Sequence, residues 1–442
     1  MSNWQISESI ISDYYETLNR IGCLGESPEA GFLRAAYSNE ETEAMRFVEK
    51  RALAIGATSR WDAIGNLFLE WPAPSARFVE VGSHLDTVPL GGNFDGAAGI
   101  VGGIAAIQRV LENTPQRKNG LRLRIWRAEE SVTFSSVYAG SLGAFGKFNS
   151  KALGNRFRGR SLEEAMKSQG ADPEVARAGR ATISQAEIDS IVAHIEMHIE
   201  QGNVLEVEAK DIGIITSIRG PYRLKIELSG EFDHSGATPM GVKYRHDCNL
   251  ALAYIMVRLD EMLKVRVGEG KDLIQTVGVI NSFREMNESQ REVYQNAPTK
   301  VSGFAYFTFD VRSNSRAVMD AYIAEASELI KKTAAEYRVD AEIELIGRSN
   351  PLESVDEVVQ KKLESAATVL GFSSKLMPSG AGHDAAIVGG QRNSAGKQVP
   401  IGMVFIPCRR GKSHCPEEYT SYEAIAKGAS VMARAISELV NE

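Results

Sequence analysis

Residues 77–86 read Arg-Phe-Val-Glu-Val-Gly-Ser-His-Leu-Asp. The apolar run predicts a strand, and it ends on His84 and Asp86, two side chains suited to a metal ion. The same arrangement recurs downstream. Residues 121–128 (Leu-Arg-Leu-Arg-Ile-Trp-Arg-Ala) alternate with period two and run into Glu129-Glu130. Residues 191–200 read as a strand that carries His198 to the turn Glu200-Gln201-Gly202. Chemistry at the C-terminal ends of strands is the habit of open α/β sheets. Residues 96–112 are rich in glycine and alanine with apolar spacing, which predicts a buried helix packed closely on a sheet. Amphipathic helices over 5–22 and 40–56 precede these elements. Strands alternating with helices predict an α/β fold with a mainly parallel, doubly covered sheet.

The pattern changes near residue 217. Strand 222–229, helix 247–266, strands 273–283 and 304–312, helix 316–337 and strand 340–347 follow in the order β-α-β-β-α-β, that of a ferredoxin-like module. Helix 355–370, loop 378–384, strand 401–406 and helix 422–440 then resume the first pattern. Ser413-His414 lies in this last part, whereas the other metal-suited segments precede residue 203. The module, 217–348, is therefore expected to be an insertion into one catalytic domain formed by 1–216 and 349–442.

At 442 residues two domains are the natural expectation. A net charge of -7 argues against nucleic acid, which favours a basic face. The opening Met-Ser-Asn-Trp-Gln-Ile-Ser-Glu has neither a basic nor an apolar leader region. No stretch approaches the ~18 apolar residues of a membrane span. Cys23, Cys248, Cys408 and Cys415 form no pair motif, so free thiols in a reducing cytoplasmic setting are expected.

Three of only seven histidines fall in glycine- or serine-flanked segments beside carboxylates. In His84-Leu85-Asp86 the aspartate can accept the second ring N–H of a ligating imidazole; a strand-end histidine beside a cap is the plainer account. Asp95 lies in Gly-Gly-Asn-Phe-Asp-Gly, where it can bridge two ions or merely cap helix 96–112. Of Glu129 and Glu130, one can serve as ligand and the other stay free as a base. His194 shares a strand face with His198 and reads as structural. His234, in Asp-His-Ser-Gly-Ala-Thr, suits a donor to a developing oxyanion. Arg312 suits a substrate carboxylate or a surface ion pair.

These motifs resemble the metal-dependent amidase branch of the M20 peptidase family, the hydantoinase/carbamoylase group. The resemblance spans about residues 40–440. It rests on Gly82-Ser83-His84-Leu85-Asp86-Thr87-Val88, Gly91-Gly92-Asn93-Phe94-Asp95-Gly96, His198-Ile199-Glu200-Gln201-Gly202 and Ser413-His414-Cys415-Pro416-Glu417-Glu418. The His-Ile-Glu-Gln-Gly segment separates this branch from the peptidases, which supply a carboxylate there. The resemblance implies two divalent ions (Zn, Mn, Co or Ni) per subunit. His84 and His198 would hold one, Glu130 and His414 the other, with Asp95 bridging. It implies Glu129 as general base, His234 reaching the partner subunit's site in a homodimer, and Gln201, Arg312, Gly382 and His383 contacting a small-molecule carboxylate. It also implies a cis or otherwise unusual peptide after Asp95. The implied activity is hydrolysis of a linear non-peptide C–N bond; an aminopeptidase or a non-catalytic binding protein of the same fold is the alternative. Two stretches depart from the family pattern. Ser131-Val132-Thr133-Phe134 stands in place of Gly-x-Arg-Phe, and Thr299-Lys300-Val301-Ser302-Gly303 in place of Asn-x-Ile-Pro-Gly.

Overall fold

The computed structural model describes residues 3–130, 132–283 and 295–442. The chain divides into two compact units, Met1–Ile218 with Ser354–Glu442, and Arg219–Glu353. The first unit is built on an eight-stranded sheet. Its order is Thr58–Trp61, Leu67–Trp71, Gly120–Trp126, Phe78–His84, Ile191–Ile199, Ile401–Ile406, Ile212–Ile218, Ser374–Ser379. The four strands from Gly120–Trp126 to Ile401–Ile406 run parallel, so their C-terminal ends share one edge. The outer strand Leu67–Trp71 pairs antiparallel with Gly120–Trp126, and Ile212–Ile218 pairs antiparallel with Ile401–Ile406. Four of these strands, Thr58–Trp61, Leu67–Trp71, Ile212–Ile218 and Ser374–Ser379, were not expected from the sequence pattern. Ile212–Ile218 is an isoleucine-rich stretch interrupted by Thr216 and Ser217, at what reads as the crossover to the second unit.

The central strands alternate although all their residues except the half-buried Val192 are buried. Val79, Val81, Leu121, Leu123, Ala193, Ile195 and Met197 turn to one face and join a core with the helices Ala97–Asn113 and Tyr422–Leu439. Successive side chains on a strand face opposite ways, so Glu80, Arg122, Arg124, His194, Glu196 and His198 share the other face. Burial pushes the Glu80 carboxyl up, but Arg124 and Arg122 overcome it and hold it ionised. The period-two pattern of Leu-Arg-Leu-Arg is thus an apolar face against helices and a charged face neutralised within the sheet. Gly99 lets the helix Ala97–Asn113 approach the sheet: a Cβ there would lie 2.2 Å from the Met197 carbonyl oxygen.

The second unit is a four-stranded antiparallel sheet ordered Ile274–Asn281, Phe304–Ser313, Gly220–Ser229, Asp340–Arg348. The helices Cys248–Gly268 and Arg316–Glu336 pack their buried residues on it around Ile226, Phe307 and Phe309. This is the β-α-β-β-α-β module expected from the element order.

Candidate metal centre

Each donor arrives from the shared strand edge or from a loop that faces it. His84 is the last residue of its strand and His198 the penultimate residue of its own. After Gly120–Trp126 the chain turns at Ala128, which takes φ +52°. The next two backbone N–H groups, of Glu129 and Glu130, donate to the two carboxylate oxygens of Asp86 at 3.1 and 2.9 Å. Asp86 therefore does more than its sequence context suggests. It stands 3.4 Å from His84 Nδ1, and it also fixes the turn that presents both glutamates.

Asp95 is at the middle. One of its oxygens lies 3.4 Å from His84 Nε2 and 3.1 Å from His198 Nε2, and the other 3.5 Å from His414 Nε2. His414 Nε2 is in turn 3.2 Å from Glu130 Oε1. Two donor groups result, His84–Asp95–His198 and Asp95–Glu130–His414, each with its ligand atoms within 4.8 Å of one another. Asp95 belongs to both. Nitrogen and oxygen donors of this kind suit first-row divalent ions such as Zn²⁺, Mn²⁺, Co²⁺ or Ni²⁺. The charge supports the fit. Asp86, Asp95, Glu129, Glu130, Glu418 and Asp384 are all buried here, and gathering so many carboxylates away from water is unfavourable without cations.

The expected cis peptide after Asp95 is not present: no peptide bond among the described residues is cis. The aspartate is aimed instead by a γ-turn. Gly96 takes φ +63° and ψ -48°, and the Ala97 N–H reaches back to the Asp95 carbonyl at 2.6 Å. A trans peptide suffices because glycine accepts this conformation and leaves room for the His84 ring.

Burial and like charge act strongly on the glutamates. The Glu129 carboxyl is pushed well above the usual range by burial, with Glu130, Asp384 and Asp86 adding to the push and His84 opposing it. Glu130 is raised by burial and by Asp95, against the pull of His414. For His84, burial disfavours the charged ring, but hydrogen bonds to Asp86 and Asp95 more than compensate. His414 is held up to about 11, chiefly by its hydrogen bonds to Asp95 and Glu130.

Gln201, at φ +57°, donates from Nε2 to Asp95 at 2.6 Å. His383 is buried, with its ring 4.6 Å from that of His198; burial and His198 hold it well below the ordinary histidine range. Gly382 lies against the Tyr138 hydroxyl, which would be 1.9 Å from an added Cβ. His194 sits within the sheet 3.5 Å from Glu80 and joins neither donor group. The Glu200 carboxylate accepts the N–H groups of Val204 and Leu205, a local structural role.

His234 and Arg312 belong to the second unit. His234 is exposed, and its Nδ1 accepts the N–H groups of Gly236 and Ala237 at 3.1 and 3.0 Å. That fixes the tautomer of the neutral ring and leaves Nε2–H as a free-facing donor. Arg312 Nε pairs with Asp310 at 3.0 Å. Of the departures from the family pattern, Ser131 lies outside the described residues, Thr133 is buried, and the Thr299 carbonyl accepts the N–H of Ser235 beside His234.

Two carboxylates at this edge had no role assigned from sequence. Asp384 accepts the Ser141 hydroxyl, and burial with Glu196 raises its carboxyl to about 8. Glu418 ends the motif that begins at Ser413; burial and Asp95 raise it to about 7. Its spacing of four from His414 was the available signal.

Residues 81–438 match peptidase family M20/M25/M40. The chain belongs to that family. It is 31% identical over 428 residues to the N-carbamoyl-L-amino acid amidohydrolase of Geobacillus stearothermophilus, covering 96% of this chain and 97% of that one. It is 30% identical over 441 residues to the ureidoglycolate hydrolase of Arabidopsis thaliana, covering 96% of this chain and 85% of the relative. Among solved structures, a hydantoinase/carbamoylase family amidase from Burkholderia multivorans superposes with a TM-score of 0.83 at 26% identity, over 99% of both chains. This M20 member is thus an enzyme, a hydrolase of carbon–nitrogen bonds other than peptide bonds. No helix among the described residues is long and apolar enough to cross a membrane.

Proposed function

We propose that this protein hydrolyses the carbamoyl (ureido) C–N bond of an amino-acid-like carboxylate, using two divalent ions. The observation that carries the reading is the pair of donor groups sharing Asp95, with the buried Glu129 carboxylate beside them and outside both. What divalent ions supply when bound is Lewis acidity toward a carbonyl and toward water. His84, His198 and Asp95 would hold one ion, and Asp95, Glu130 and His414 the other. Glu129 takes a proton from the attacking water on a carboxylate oxygen and returns it to the leaving nitrogen. Its raised affinity for a proton favours that transfer near neutral pH, and neighbouring cations would temper the shift.

The Nε2–H of His234, with its tautomer fixed by Gly236 and Ala237, suits stabilisation of the developing oxyanion. Arg312 suits the substrate carboxylate, with Gln201, Gly382 and His383 lining the pocket. Among its described residues the module holding His234 and Arg312 adds none to either donor group, so its contribution would be to complete a site, and a homodimer would let it complete the partner's. Support comes from exposed apolar residues on the helix Cys248–Gly268 and the edge strand Ile274–Asn281: Leu250, Tyr254, Val257, Ile274, Val279 and Ile280. An edge with such side chains and no further partner strand among the described residues is a ready surface for a second copy. The four cysteines are all free, as a reducing, cytoplasmic location would have them.

The test is a panel of N-carbamoyl, N-formyl, ureido and peptide substrates on metal-loaded protein. Release of ammonia or free amine from ureido acids supports the reading. Turnover of peptides alone would overturn it in favour of a peptidase.

A further inference from the structure

Glu418 is 4% exposed and spans the two halves of the centre. Its Oε1 accepts the backbone N–H of Phe94 at 3.0 Å and of Asp95 at 2.9 Å. Its Oε2 accepts the Ser413 hydroxyl at 3.1 Å and the His414 N–H at 3.2 Å. Phe94 lies 324 residues away in sequence. The Ser413 hydroxyl is also 2.7 Å from Asp95 Oδ2, which closes a ring from Glu418 through Ser413 to the bridging carboxylate. The surroundings are cut to fit. A Cβ on Gly92 would fall 2.4 Å from the Glu418 side chain, so glycine there makes room for the carboxylate. His414 takes φ +58°, a conformation that non-glycine residues hold only when neighbours impose it.

We infer that Glu418 is a positioning residue, which sets the Asp95 carboxylate and the His414 imidazole at the spacing a second ion requires. The inference rests on the two-ion reading above. Asp95 and His414 come from loops at opposite ends of the chain, and nothing local relates one to the other. Glu418 relates them because each of its oxygens serves one loop. In a glutamine of the same shape the amide nitrogen would face the Ser413–His414 loop, because the Ser413 hydroxyl can donate to Asp95 and accept from the amide, whereas the Phe94 and Asp95 N–H groups can only donate. The His414 N–H would then lose its acceptor, and that loop would be released while the loop bearing Asp95 stayed tied.

The experiment needs no substrate. Chelated full-length wild type, Glu418→Gln and Ser413→Ala are titrated with Mn²⁺ by calorimetry and with Co²⁺ by visible absorption. In Glu418→Gln one of the two binding events is expected to weaken about 10–100-fold while the other stays within about threefold, as when a hydrogen-bond partner of a ligand is lost. The Co²⁺ spectrum of the second equivalent is expected to change with it. Ser413→Ala, which removes one arm of the ring, is expected to weaken the same event by less; it carries the test if Glu418→Gln does not fold. Two binding events of unchanged affinity in a folded variant overturn the inference. Equal weakening of both events overturns it as well, because that marks a general loss of structure. Wild type that binds no ion fails the two-ion reading itself, before any variant is compared.

Discussion

Replacing Gly96 by alanine tests how the bridging aspartate is aimed. Gly96 holds φ +63° and ψ -48° directly after Asp95. A non-glycine residue forced into a sparsely populated conformation costs about 1–3 kcal/mol. The added Cβ would lie 2.5 Å from Cε1, Nδ1 and Nε2 of the His84 ring. Ordinary carbon contacts are about 3.5 Å or more, so the ring must retreat by roughly 1 Å or the turn must open. His84 is 2% exposed and has little space to retreat into; overpacking of that kind costs about 1–3 kcal/mol. The expected destabilisation of the metal-free protein is thus about 2–6 kcal/mol, as the sum of those two contributions. Displacement of His84 adds a loss of affinity at the site it shares with His198. Urea unfolding of chelated protein reads the first effect, and Co²⁺ titration reads the second. A variant within about 0.5 kcal/mol of wild type, the ordinary range for an innocuous substitution, with unchanged Co²⁺ binding would refute the account of the turn.

Glu129→Gln is expected to keep metal binding and lose ~10²–10⁴-fold in turnover; loss of metal with turnover retained in excess metal would mean that Glu129 and Glu130 exchange roles. Exhaustive chelation is expected to abolish activity, and Mn²⁺, Co²⁺, Ni²⁺ or Zn²⁺ to restore it; full activity in protein shown metal-free by elemental analysis contradicts this. Metal binding is expected to release protons. His414 is held up to about 11, and His84 and His198 are raised too, so each metal-free ring holds a proton more tightly than an ordinary imidazole, whereas ligating imidazoles are neutral. Affinity should therefore climb as pH rises toward the raised values, and calorimetry in buffers of different ionisation enthalpy should show the release; pH-independent binding would be the contrary result. Mixing inactive His234→Ala with inactive Glu129→Gln is expected to regain activity, since each mixed dimer has one site with both residues intact; exchange of subunits without activity places His234 in its own chain's site or in none.

The sequence alone determined most of the local structure and named the candidate donors. Strands Phe78–His84, Gly120–Trp126 and Ile191–Ile199 show as apolar or alternating runs, and His84, Glu130 and His198 lie at or just beyond their ends. That is legible because hydrophobic period and chain direction are local properties. The sheet order was not legible. Ile212–Ile218 follows Ile191–Ile199 in the chain, yet Ile401–Ile406 lies between them, and only long-range pairing puts it there. The form of the turn at Gly96, a trans peptide with φ +63° where a cis or otherwise unusual one is expected, depends on the His84 ring pressed against it. Asp86 showed as a partner for His84, but not as the acceptor of two N–H groups that arrive 43 and 44 residues later. Glu418 had no evident task until the loop bearing Asp95 was packed against it. Residue types and local periodicity reveal which side chains can bind or transfer protons. Which carboxylate holds which loop depends on contacts between distant segments, and those exist only once the core has brought the segments together.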